Sequence, residues 1–312
     1  MGNEVETRCC LADALSAVER TAAAVKSVDA KRRPITTALA EIGDDKAARV
    51  RTSCPNIDFV SINTYGGVHS LRQRLNKQGY TGAFMVTEFG MLGPWETPCE
   101  QSSSEKALFT AQAYSSLFDA DASAGGATCV GSFAFFGGWK WETSPTWFSM
   151  ALPLQSDERP HIVADSLLVL GARWRGYPAS PDKGGIVSLL GSAGAAFLER
   201  IEVAGHSPDA PLHCKRGDML NTRVLATFAP GTDERSLGMV IEWRLLPAAC
   251  PGGAPPVAAM ASICAVRPTD CMSASVQAPS ACGDYYLYAF VSYGRCMCPA
   301  GLSTVVRKLR VE

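Results

Sequence analysis

The sequence predicts an α/β chain in two parts: a parallel sheet covered by helices up to about residue 176, then a small all-β sandwich. Three observations carry this. Strand-like and helix-like patterns take turns through the first part, the mark of a parallel sheet with helical crossovers. From roughly residue 184 the pattern changes to short β-rich runs separated by Gly- and Pro-bearing turns, with no convincing helical stripe. The chain has 312 residues, 47% of them hydrophobic, which is enough for one sizeable core or two. The expected division is residues 1–176, a linker at 177–184 and a sandwich at 185–312, with YPASPDKG at the centre of the linker.

The elements follow in order. Leu11, Leu15, Val18, Ala22 and Val25 share one stripe of a helix over Leu11–Val28. Pro34 opens the β-branched run ITTALAEI, which ends at Glu41, and Asp44 or Asp45 can cap a short helix through Val50. Residues 57–65 (IDFVSINTY) make the next strand, a helix covers about 71–77, and AFMVTEFG (83–90) is another strand. A loop with Pro94, Trp95 and Pro98 precedes Ser102-x-x-Glu105, a capping box for a helix to about Phe118. TCVGSFAFF (128–136) is a further strand, and residues 162–170 supply the last helix. In the second part the predicted strands are 198–203, 219–228, 239–246, 273–277, 285–293 and 304–311.

Composition excludes several functions. With 29 Lys+Arg against 30 Asp+Glu the net charge is −1, so there is no electrostatic footprint for nucleic acid and no polybasic segment for an anionic membrane. The longest uncharged stretch, 245–266, holds Pro247, Pro251, Pro255 and Pro256 and reads as a loop, so no membrane-spanning segment is expected. MGNEVETRCC carries no basic stretch followed by an apolar run, so no secretory signal is read there. Twelve cysteines are present, seven of them after residue 210: Cys214, Cys250, Cys264, Cys271, Cys282, Cys296 and Cys298. These could be disulfides or buried thiols. No C-x-x-C occurs, and His69, His161, His206 and His213 do not combine with cysteines at zinc-site spacing, so neither metal nor cofactor is predicted. A G-x-S-x-G elbow, a P-loop and a dinucleotide fingerprint are also missing.

Chemistry in parallel-sheet folds gathers at the C-terminal ends of the strands. Three such ends are polar here: Gly2-Asn3-Glu4, Asn63-Thr64-Tyr65 before Gly66-Gly67, and Thr87-Glu88-Phe89-Gly90. Glu88 closes an apolar run and precedes Phe-Gly, which aims it at a cleft mouth, although taken alone a carboxylate there reads more readily as a solvated loop residue. A fourth end, Gly137-Gly138-Trp139-Lys140-Trp141, offers two indoles whose flat faces suit the C–H faces of sugar rings. Trp95 could extend that surface, whereas Trp147 reads as core. Glu41 is a competing strand-end carboxylate, better read as a rim or substrate-contact residue, and Lys140 and Glu142 read as rim charges.

The segments GNEVE, INTYGG, VTEFGMLGPWE and GSFAFFGGWKWETSPTWF, in this order and spacing, resemble the (β/α)₈ TIM-barrel retaining glycoside hydrolases of clan A, particularly family 2-like and β-glucanase-like enzymes. The resemblance covers about residues 1–175, while the remainder only loosely resembles immunoglobulin- or PKD-like modules. It implies that Glu4, ending strand four, is the acid/base and that Glu88, ending strand seven, is the nucleophile. It further implies that Tyr65 hydrogen-bonds the nucleophile, that Asn3 binds a sugar hydroxyl, and that Trp139 or Trp141 floors the sugar site. A retaining enzyme needs two carboxyl groups about 5–5.5 Å apart, one ionised and one protonated, and mutual repulsion helps to separate their proton affinities.

On this reading the first three strands and nearly all of the fourth are not in the chain, so a partial barrel (strands four or five to eight) and a truncated form of a longer enzyme are expected. The implied function is retaining hydrolysis of β-linked oligo- or polysaccharide. The alternative is a non-catalytic carbohydrate-binding or cell-surface protein whose sandwich is the working part. Export is suggested by the resemblance and the cysteine-rich tail, whereas sugar, linkage and oligomeric state are not encoded in any motif.

Overall fold

The computed structural model describes residues 2–119, 125–152, 162–177, 180–208, 210–249, 266–293 and 302–312. Cys250, Cys264, Cys296, Cys298 and His161, and most of the uncharged stretch 245–266, lie outside the described residues. Two compact units result, one from Met1–Met91 with Gln112–Phe135 and the other from Leu92–Ala111 with Phe136–Glu312.

The first unit alternates strands and helices. Its elements are α1 (Leu11–Val28), β1 (Thr36–Ala40), α2 (Lys46–Ser53), β2 (Phe59–Tyr65), α3 (Leu71–Lys77) and β3 (Ala83–Gly90). Its last strand is β4 (Thr128–Ala134), preceded in the chain by the helix α4 (Ser103–Tyr114), of which residues 103–111 belong to the second unit. The strands form one open parallel sheet in the order β1-β2-β3-β4, and the described residues do not close it into a barrel. A stub at Asn3 bridges Ala38 in parallel, with Glu4 N–H donating to Ala38 O at 2.9 Å, so the N-terminus extends the sheet beside β1. On the other side β4 is an edge strand, and it leaves Val130 and Phe133 more than half exposed.

Register assigns the two faces. Leu39, Ile62 and Val86 are neighbours across β1, β2 and β3, and with Val60, Phe84 and Phe89 they form a buried apolar face. The helices bury a matching set, including Leu15, Val18, Val50, Leu71 and Leu75. On the opposite face Thr36 and Ser61 share a hydroxyl hydrogen bond at 2.8 Å, and along β2 Ser61 is followed toward the strand end by Asn63 and Tyr65.

In the second unit the remaining strands are β5 (Ala151–Leu152), β6 (Ile162–Val163), β7 (Phe197–Val203), β8 (Leu212–Cys214), β9 (Met219–Thr227) and β10 (Met239–Pro247). They continue with β11 (Val266–Pro268), β12 (Ser273–Gln277), β13 (Gly283–Tyr293) and β14 (Leu302–Val311), and the helices are α5 (Asp165–Trp174) and α6 (Lys183–Ser192). Two four-stranded sheets, β10-β13-β14-β8 and β11-β12-β9-β7, share one apolar core containing Leu198, Ile201, Val224, Val276, Leu287, Val291 and Leu309. All pairings in them are antiparallel except β14 with β8. Among the described late cysteines Cys214, Cys271 and Cys282 are free thiols.

Two local readings need correction. The glycine-rich KGGIVSLLGS hides a helix: Asp182 caps α6 by accepting from Gly185 N–H at 2.8 Å, and Ile186, Val187 and Leu190 join the core of the strands that follow. The helix expected from residue 162 starts instead at Asp165, because Ala164 is still extended and residues 162–163 pair with β5. The Ser102/Glu105 capping box forms as read, with Glu105 accepting from Ser102 N–H at 2.8 Å and Ser102 from Glu105 N–H at 3.1 Å.

Asp165 is fully enclosed and accepts from three hydroxyls: Ser103 at 2.8 Å and Ser104 at 2.7 Å on Oδ2, and Ser303 at 2.8 Å on Oδ1. Burial raises its pKa despite those donors, which pull it down. A raised carboxyl contributes stability that is complete below the unfolded value of about 4 and is lost as pH climbs through the folded value. Asp165→Asn, which cannot ionise, should therefore gain on the parent as pH rises from 4 to 8. The gain is readable in thermal melts at about 2–4 °C per kcal/mol; a difference independent of pH would refute it.

Candidate active site

Adjacent residues of a strand point to opposite faces, yet at the C-terminal ends of this sheet two adjacent pairs, Asn3-Glu4 and Thr87-Glu88, serve the same one. In β3 the device is a bulge. Ile62 pairs with Val86 but Asn63 pairs with Glu88, so Thr87 is the extra residue. Burial along β3 slips in step: Phe84 and Val86 are buried, Thr87 and Glu88 both are not, and Phe89 is buried again. At the stub the device is backbone handedness. Asn3 is in register with Ala38 on the polar face, and Glu4 leaves the strand at φ 52°, the left-handed region, which turns its side chain back to that face.

Asn63 joins the two pairs. Its Nδ2 donates to Asn3 Oδ1 and to Glu4 Oε1, both at 2.9 Å, while Thr87 Oγ1 donates to its Oδ1 at 2.7 Å. Asn63 is 2% exposed, so these bonds replace solvent almost completely. Two residues further along the same face, Tyr65 OH donates to Glu88 Oε2 at 2.6 Å. Tyr65 is itself held edge-on by Phe135, with ring centroids 5.8 Å apart. Asn3, Glu4, Tyr65 and Glu88 are thus brought together at one sheet end, around Asn63 and Thr87, which the sequence places at polar strand ends without assigning them a role. Their polarity inside apolar runs was the available signal.

Glu41 is engaged elsewhere. It too has a positive φ, 50°, and its Oε2 accepts from Arg74 Nη1 at 2.6 Å, while Arg74 Nη2 donates to Gly67 O at 2.9 Å. An ion-paired carboxylate of this kind anchors the rim. Glu6, in the turn after Glu4, accepts from Ala40 N–H at 2.7 Å and pairs with Lys46 at 3.1 Å, which ties the stub to the end of β1.

The aromatic candidates belong to the second unit. Trp95 is exposed and tilts against Phe148 at 6.1 Å. Trp139 is half-buried against Leu246, Tyr286, Tyr288 and Phe290, and Trp141 is also half-buried. Trp147 is core, its indole N–H donating to Leu92 O at 3.0 Å. Beneath this region the buried Glu100 is matched by Lys106 at 2.5 Å and Thr146 at 2.6 Å, and burial together with that carboxylate pushes the Tyr288 phenol up.

No family model matches the sequence, and no curated protein does. Among solved structures, a Cellulomonas fimi endo-β-1,4-mannanase double mutant is similar at 11% identity and a TM-score of 0.31, covering 97% of this chain and 59% of that one. A nucleoside hydrolase-related hypothetical protein from Saccharophagus degradans, described as associated with carbohydrate metabolism, matches at 11% identity and a TM-score of 0.28, covering 97% of this chain and 75% of that one. The chain therefore spans less than two thirds of the mannanase structure. Likenesses this slight carry no functional weight, which leaves the strand ends to speak for themselves.

Gly67 is required by the rim it sits under. A Cβ there would lie 2.7 Å from Arg74 Nη2, 2.8 Å from Thr64 Oγ1 and 2.9 Å from Glu41 Oε1. Thr64 is buried and cannot yield, so Gly67→Ala should break the Glu41–Arg74 contact and cost about 1–3 kcal/mol. Chemical denaturation measures this, and a variant as stable as its parent would contradict it.

Proposed function

We propose that the protein is a retaining O-glycosyl hydrolase acting on β-linked carbohydrate, with Glu88 as nucleophile and Glu4 as acid/base. The observation that carries this reading is the Tyr65–Glu88 hydrogen bond, set on the same polar face as the Asn63-bridged Asn3-Glu4 pair. Tyr65 donates to Oε2 and so orients the carboxylate, leaving Oε1 to attack the anomeric carbon. As that bond forms, the glycosidic C–O bond breaks and the leaving oxygen takes a proton from Glu4. Glu4, now a base, removes a proton from water, which attacks the same carbon and releases Glu88 with the original configuration restored. Asn3 is placed in this scheme at a sugar hydroxyl.

The test is hydrolysis of a panel of aryl β-glycosides. Glu88→Ala should lower turnover by on the order of a thousandfold or more. Added azide should restore part of it and yield the α-glycosyl azide, while in Glu4→Ala azide should give the β-azide. Unchanged turnover in Glu88→Ala would reject the assignment.

A second reading, a non-catalytic carbohydrate-binding protein, is favoured by a groove of about 510 Å³ across β7, β9 and β12, lined by Glu202, His206, Asn221, Arg223 and Ser273. It predicts glycan binding lost on Arg223→Ala together with no hydrolysis of any glycoside offered.

A further inference from the structure

We propose that Thr87 and Asn63 form a positioning relay that sets the carboxyl of Glu4 from the strand carrying Glu88, so that the two carboxylates are held in register by side chains as well as by the sheet. The inference rests on the hydrolase reading and names two positioning residues within it. Asn63 acts through the Glu4 carboxyl, and Thr87 acts through Asn63.

The orientation of the Asn63 carboxamide is dictated by its neighbours. On one side are Asn3 Oδ1 and Glu4 Oε1, both acceptors and both 2.9 Å from Nδ2. A flipped amide would set a carbonyl oxygen against those two oxygens. On the other side the Thr87 hydroxyl, able to donate or accept, donates to Oδ1 at 2.7 Å in the orientation that the two acceptors favour. Both amide hydrogens and one carbonyl lone pair are therefore committed in a site closed to water. Thr87 is the extra residue of the β3 bulge and is bonded to Glu88, so the strand that aims the nucleophile also aims the amide. Glu4, held outside strand geometry at φ 52°, has this amide as its side-chain partner and the β1 edge as its backbone partner. Losing the relay should leave Glu88 in place and let the proton donor wander.

The experiment has two arms on the full chain. In the first, water exchange of the Asn63 side-chain NH₂ is followed by ¹⁵N NMR, with the signals assigned by their loss in Asn63→Ser. Exchange should be slow in the parent and in Thr87→Ser, and about tenfold faster in Thr87→Val, which keeps the shape but has no donor. Equal exchange in Thr87→Val and parent would overturn the relay. In the second arm, kcat/KM is compared for a 4-methoxyphenyl and a 2,4-dinitrophenyl β-glycoside of a sugar the parent hydrolyses. Only the first leaving group needs a proton, so Thr87→Val should lose about tenfold on it and less than twofold on the other, with Thr87→Ser restoring both. Equal losses on the two substrates would overturn the positioning of the acid. Absence of turnover in the parent would reject the hydrolase reading and the role of Glu4 with it, and the NMR arm separates that outcome from failure of the relay.

Discussion

Period-two alternation is the constraint on which the candidate site depends. A strand sends neighbouring side chains to opposite faces, so a sheet end that must gather several polar groups on one face has to break its own rule. This molecule breaks it twice by different means. An inserted residue in β3 brings Thr87 and Glu88 to the same side, and a left-handed residue after Asn3 does the same for Glu4. Both devices cost backbone energy, about 1–2 kcal/mol for a left-handed non-glycine residue, and both are held by the side-chain bonds they make possible.

Electrostatics at the same edge is sorted by partner. Glu41 is given to Arg74 and Glu6 to Lys46, whereas among the described residues the side chains of Glu4 and Glu88 accept from neutral donors, an amide and a phenol. Neutral donors orient a carboxylate without cancelling its charge, which sets these two apart from the ion-paired pair. The rim and the centre of the site are thus distinguished by chemistry rather than by residue type, since all four are glutamates.

Much of this was legible in the sequence. The bounds of α1, α3 and β3 follow from periodicity, and the Ser102/Glu105 box marks the start of α4. What could not be read were features set by register. The β3 bulge depends on how two strands align, and VTEFG looks the same with or without it. Asn63 reads as one more polar residue in INTYGG; only its position between two strands gives it three partners. The helix α6 was hidden because glycine lowers local propensity, and burial of Ile186 and Leu190 overrides that preference.

The serines around Asp165 come from far-apart parts of the chain: Ser303 is separated from Asp165 by 138 positions, and the Thr304 amide donates to the Ser103 hydroxyl across 201. During synthesis the second unit therefore lacks one wall of this polar knot until β14 emerges. Loop closure over such separations is slow, and the half-made unit must carry the Asp165 carboxyl without its Ser303 partner meanwhile. The feature that fixes the interior of the finished unit also delays its completion.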